Sequence, residues 1–106
     1  RPTRQLAQRA AALARAQEPL LVAGYRRYSV VFYARRPVLF VGSPAEAWQR
    51  LRVAGASMPA SVLLLGSDSD LLEFGIGPGD GQLLQRRDAH RLVRLPWRDL
   101  QRLAGA

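Results

Sequence analysis

Asp68 and Asp70 are the residues best placed for chemistry, because they follow the apolar run Val62-Leu63-Leu64-Leu65-Gly66 and are separated only by Ser69. Two carboxylates two residues apart can hold a divalent cation, and a cation so held can neutralise a diphosphate. The same residues also suit a helix start. There Ser67 or Asp68 supplies a cap, and acidic side chains favour the positive end of the helix dipole. The capped start is the reading adopted, since a chain of 106 residues leaves little room for a metal-dependent transfer fold. Gly75, Gly77, Gly79 and Gly81 surround Pro78 in a glycine-rich stretch, but no Gly-Lys-Ser/Thr ending makes it a phosphate loop. It reads as a flexible turn. His90 is the sole histidine and reads as a surface or edge residue at a strand start beside Asp88. Cysteine is absent, which excludes disulfides and thiol chemistry. No catalytic, cofactor-binding or metal-binding residue is assigned, and no cofactor is expected.

A second constellation is cationic. Tyr25, Arg26, Arg27 and Tyr28 are followed by Arg35 and Arg36, on either side of Ser29-Val30-Val31-Phe32-Tyr33-Ala34. Arginine binds phosphate in a bidentate fashion and tyrosine suits wet interfaces, so these six residues are the candidates for contact with anionic lipid. The ordinary alternative is a solvated loop flanked by core aromatics. All 16 basic residues are arginine and the formal charge is +8, so an anionic partner is expected. Residues 1–36 hold eight arginines against Glu18 alone, whereas residues 37–80 are mildly acidic and the remainder is basic again. A nucleic-acid or acidic-protein partner competes on charge, yet no helix-turn-helix, RNP motif or zinc finger accompanies it.

The elements that must position these groups are read from local pattern. Thr3 caps a helix over residues 4–17, and Leu20-Leu21-Val22-Ala23 is a buried strand closed by Gly24. Residues 29–36 conflict. Val30, Val31, Phe32 and Tyr33 favour a strand, while Ser29 and Pro37 could bracket a two-turn helix. Val38 to Val41 is the next buried strand. Ser43, Pro44 and Glu46 then open a helix with a capping box, with Ala47, Trp48, Leu51 and Ala54 facing inward and Gly55 ending it. Val62 to Leu65 is a third apolar strand, followed by a short helix through Leu71, Leu72 and Phe74. Residues 83–87 and 90–95 form a strand pair, and a last helix carries Trp97, Leu100 and Leu103. Apolar strands alternating with helices imply an α/β fold, a small three-layer sandwich. The sheet is expected to be mainly parallel, of about five strands, with an antiparallel C-terminal hairpin edge.

Tyr25 through Gly55 reads Tyr-x-x-Tyr-Ser-x-x-Phe-Tyr-x-x-Arg, an apolar strand, then Ser-x-x-Glu-x-x-x-x-Leu. This resembles the soluble C-terminal periplasmic domain of bacterial polyprenyl-phosphate-sugar glycosyltransferases, of the aminoarabinose transferase and protein O-mannosyltransferase type. The resemblance implies that Ser29, Phe32 and Tyr33 belong to an aromatic segment between the first two strands, which favours the short helix over residues 29–36. It also implies that the catalytic acids lie in a membrane part that this chain does not include. Residues 1–106 are then one domain of a larger membrane protein, and the transmembrane part is its partner. The domain would sit at the extracytoplasmic face of the inner membrane. No apolar run here reaches the roughly 18 residues that a span needs, and the opening Arg1-Pro2 without Met agrees with a fragment.

Overall fold

The computed structural model describes residues 2–24, 31–33, 36–53 and 59–106. Its elements run α1 (Pro2–Leu13), β1 (Leu20–Ala23), β2 (Val31–Tyr33), β3 (Arg36–Val41), α2 (Pro44–Val53), β4 (Ser61–Ser67), α3 (Asp68–Phe74), β5 (Gln82–Arg87), β6 (His90–Pro96) and α4 (Trp97–Leu103). The strands form a six-stranded sheet in the order β2-β3-β1-β4-β6-β5. Only β1–β3 and β1–β4 are parallel; β2–β3, β4–β6 and β5–β6 are antiparallel. The sheet is therefore mixed rather than mainly parallel. The reason is β6, which returns through a hairpin and pairs along the whole of β4. The antiparallel hairpin edge itself is as expected, with β5 outermost.

Alternation along the strands divides the core into two layers. Leu21, Ala23, Val62, Leu64, Val93 and Leu95 meet α2, α3 and α4 on one face. Leu20, Val22, Val38, Leu63, Leu65 and Leu92 meet Leu6 and Ala10 of α1 on the other. The middle strands carry continuous apolar runs because both of their faces are covered. On the α2 side, Trp48 stacks on Trp97 with ring centroids 5.8 Å apart and planes 13° from parallel.

Two expected elements differ. Residues 31–33 form β2 and residue 36 opens β3, so the short helix over 29–36 is overturned where the structure describes that span. Val31, Phe32 and Tyr33 have strand-favouring side chains, and β3 offers them a pairing partner. Pro37 acts in the same direction by disfavouring the helical region for the residue before it. Helix α1 stops at Leu13, four residues before the expected end. The Arg15 amide donates to the Glu18 carboxylate at 3.0 Å, and Gln17 adopts a left-handed φ of 64°. The capping box expected of α2 is present, and Ala54 and Gly55 lie outside the described residues. The Glu46 amide donates to Ser43 Oγ at 3.1 Å, and the Gly42 amide donates to Glu46 Oε1 at 2.6 Å.

Candidate functional site

In open α/β sheets, ligands gather outside the carboxyl ends of the parallel strands. Here that rim is formed by Gly24 after β1, Gly42 and Ser43 after β3, and Ser67 to Asp70 after β4. The start of β6 joins it, because His90 is paired with Ser67. Ser67 is the cap of α3 and its Oγ accepts from the Asp70 amide at 3.0 Å. Leu71 and Phe74 anchor the helix in the core, and Gly75 ends it at φ 103°. This is the capped start expected from the sequence, with Ser67 in the capping role.

The two aspartates diverge. Asp68 turns toward the hairpin, where Arg86 Nη1 lies 3.0 Å and Arg91 Nε 2.8 Å from its oxygens. The hydrogen bond from Arg86 holds its carboxyl below the ordinary aspartate value; partial desolvation opposes this, and Arg91 adds to it. Asp70 turns the other way, over Gly24. A Cβ at Gly24 would stand 2.3 Å from Asp70 Cγ, and the φ of +83° there favours glycine as well. Among the described residues no group of three or more His, Cys, Asp or Glu is arranged to hold a metal ion.

The remaining candidates have plain placements. The 75–81 turn is tied down, since Ile76 is buried and its amide donates to the Leu71 carbonyl at 2.7 Å. Asp80 Oδ2 accepts from the Gly77 amide at 2.7 Å within the same turn. His90 lies on the interior strand β6 rather than at a sheet edge, half-buried, with Nδ1 shielded and without a hydrogen-bond partner among the described residues. Tyr25, Arg26, Arg27, Tyr28 and Arg35 lie outside the described residues. Arg36 opens β3, and its side chain is likewise outside the description. The described backbone fixes their flanks. Gly24 stands at the carboxyl end of the parallel strands, where its amide donates to the Val41 carbonyl, whereas Arg36 stands at the opposite end of β3.

The family model for the C-terminal domain of cyanobacterial RgtA-type glycosyltransferases matches residues 13–106. The chain belongs to that family. No curated protein sequence and no solved structure gives a significant match. The resemblance to a glycosyltransferase C-terminal domain is thus met, and the family named is the RgtA type. All six strands among the described residues of this RgtA-type domain fall within the matched span, while α1 ends where the match begins.

Sequence reasoning missed a second charged cluster in the domain. Glu18 is 3% exposed and its carboxylate is enclosed. Arg94 donates from Nε to Oε2 at 2.8 Å and from Nη2 to Oε1 at 2.9 Å, and Ser61 Oγ donates to Oε2. Burial alone would raise the Glu18 carboxyl, but hydrogen bonds from Arg94, Ser61 and the Arg15 amide, with the Arg94 charge, bring it down to about 2. The signal was present in two places. Glu18 is the lone acid of the first 36 residues, and Arg91 and Arg94 interrupt an otherwise apolar strand. Their spacing of three puts them on opposite faces of β6, where Arg91 meets α3 and Arg94 meets the end of α1.

Proposed function

We propose that this domain is a non-catalytic, extracytoplasmic part of a membrane glycosyltransferase that moves sugar from a polyprenyl-phosphate donor to a lipid or protein acceptor. The observation that carries the reading is the match of residues 13–106 to an RgtA-type C-terminal domain. The carboxylates support it. A general acid or base needs a carboxyl whose pKa lies near the working pH. Glu18 is held far below that range inside an ion pair, and Asp68 is held low by two arginines. The transfer chemistry then belongs to the transmembrane part of the same protein, and this domain braces that part or arranges the acceptor.

In this reading Tyr25, Arg26, Arg27, Tyr28, Arg35 and Arg36 face the membrane and meet phosphates of anionic lipid or lipid-linked sugar. Each arginine close to such a surface contributes about 1 kcal/mol, screened over a Debye length of about 8 Å. That is enough only where a membrane anchor already holds the domain near. Incubation of the isolated chain with a polyprenyl-phosphate sugar tests the division of labour, with no transfer and no hydrolysis expected. Turnover abolished by Asp68→Ala or Asp70→Ala would overturn it. Vesicle sedimentation tests the surface, with weak, salt-sensitive binding to anionic vesicles that the fourfold Arg→Gln variant at 26, 27, 35 and 36 loses. Tighter, sequence-dependent binding to DNA or RNA would replace this reading with that of a nucleic-acid module.

A further inference from the structure

A cleft of about 310 Å³ opens between α3, the 75–81 turn and the β5–β6 hairpin. Its volume is at the lower end of the range, about 300–1,000 Å³, in which proteins take small ligands. One wall is apolar and consists of Leu72, Ile76 and Pro78. Leu72 is 65% exposed, the most of any large hydrophobic side chain among the described residues. Ser69 lies beside it, and the base is the Asp68–Arg86–Arg91 cluster.

The base has one carboxylate for two guanidinium groups, so it carries an excess positive charge. The use of Arg86 is uneven. Its contacts with both Asp68 oxygens and with the Asp88 carbonyl all come from Nη1. The edge formed by Nε and Nη2 makes no hydrogen bond among the described residues, and the side chain is 45% exposed. That edge is the fork with which arginine grips a tetrahedral or planar anion. The larger hollow beside Ser61 and Gln82, about 400 Å³, differs in this respect. Its Arg94 directs Nε and Nη2 at Glu18, with Nη2 also donating to the Leu13 carbonyl.

We propose that the cleft binds an amphiphilic phosphomonoester, with the phosphate on the open edge of Arg86 and the Ser69 hydroxyl and the apolar part along the exposed Leu72 and Pro78. A phosphomonoester carries close to two negative charges and three acceptor oxygens at neutral pH. Its charge more than offsets the single excess positive charge of the base, and its three oxygens can each take one of the three donors, the Ser69 hydroxyl otherwise sharing a hydrogen bond with Ser67 Oγ at 3.2 Å. A simple carboxylate would crowd the same three donors onto two oxygens, and an uncharged amphiphile would leave the arginine edge unused. The same chemistry occurs in a phosphate headgroup within a leaflet and in a soluble phosphorylated amphiphile. The assignment does not depend on the membrane placement proposed above, because a soluble probe reads it.

The experiment is an amide-resolved NMR titration of the chain with hexyl phosphate, inorganic phosphate and hexanol in parallel. Hexyl phosphate should shift the Ser69 and Leu72 amides saturably, with an affinity about tenfold above that of inorganic phosphate, while hexanol leaves them in place. Arg86→Gln should weaken both phosphates about tenfold. Leu72→Ser, at an exposed position, should weaken hexyl phosphate alone and decides the matter should Arg86→Gln fail to fold. Vesicles doped with phosphatidic acid identify the source. Perturbation of the same amides by them assigns a leaflet-borne phosphate, and a response to hexyl phosphate without one to vesicles assigns a soluble ligand. Equal binding of hexanol and hexyl phosphate, unaltered hexyl phosphate binding in both variants, or no response to any phosphate overturns the proposal.

Discussion

The two ends of the β4–β6 pair solve one electrostatic problem in opposite ways. Ser61 and Arg94 meet Glu18 at one end, and Arg91, with Arg86 of β5, meets Asp68 at the other. At the first end the carboxylate is sealed, and both of its oxygens are held by protein donors. At the second end the Asp68 side chain is 47% exposed, and one of its two arginines keeps an unused edge toward solvent. The difference separates a charge pair that holds the fold together from one that remains available for a ligand. Position relative to the parallel strands agrees, because the sealed cluster lies where β4 begins and the open one where it ends.

The largest effect should come from breaking the sealed cluster. Glu18→Gln leaves the Arg94 guanidinium, 12% exposed, without its counter-charge. Removing one partner of a buried pair costs about 3–5 kcal/mol. Urea denaturation should therefore show a large fall in midpoint at an unchanged slope. A fall no greater than that from changing a surface residue would mean that the cluster is wetter than its geometry indicates.

Acid offers the next largest effect. A glutamate held at about 2 in the folded state and near 4.5 when unfolded stabilises the fold fully above pH 4.5. The contribution, up to about 3 kcal/mol, is lost as pH falls from 4.5 toward 2. Stability measured across that window should decline steeply in the native chain and much less steeply in Glu18→Gln. Identical slopes would place the acid sensitivity elsewhere.

How much of this was legible in the sequence depends on how local each signal is. The α2 cap was readable because Ser43, Pro44 and Glu46 act within one turn. The three buried strands were readable because both of their faces are apolar. Trp48 and Leu51 were correctly placed inward, since a helix of known phase has only one apolar side. The order of strands was not readable. Antiparallel pairing of β6 with β4 joins residues separated by the whole of α3 and β5, and no local pattern carries that information. Residues 29–36 failed for a related reason, since Val31 to Tyr33 owe their strand conformation to pairing with β3. Both charged clusters were hidden because they join residues far apart in sequence. Glu18 and Arg94 are 76 positions apart, and Asp68 and Arg91 are 23 apart.

Capping gives a third and smaller test at the open end. Ser67→Ala removes the acceptor for the Asp70 amide and should cost about 1 kcal/mol. Ser67→Asp should restore most of that loss, as a capping role requires, and thermal melts of the three chains settle it.

The smallest effect is expected from the open carboxylate itself, and it probes the comparison most directly. Asp68 makes its ion pairs where water and salt screen them, and such pairs contribute little to stability. Arg91 complicates this, because it is buried and Asp68 Oδ1 accepts from its Nε. Asp68→Asn keeps a carbonyl oxygen available to Arg91, so it removes the charge while retaining that acceptor. The melting midpoint of Asp68→Asn should therefore move far less than that of Glu18→Gln, and the gap between them should widen in high salt. The acid sensitivity between pH 4.5 and 2 should persist in Asp68→Asn, since the Glu18 cluster is untouched. A loss as great as that of Glu18→Gln would show that Arg91 makes Asp68 a structural carboxylate, and the two ends of β4–β6 would then no longer differ in kind.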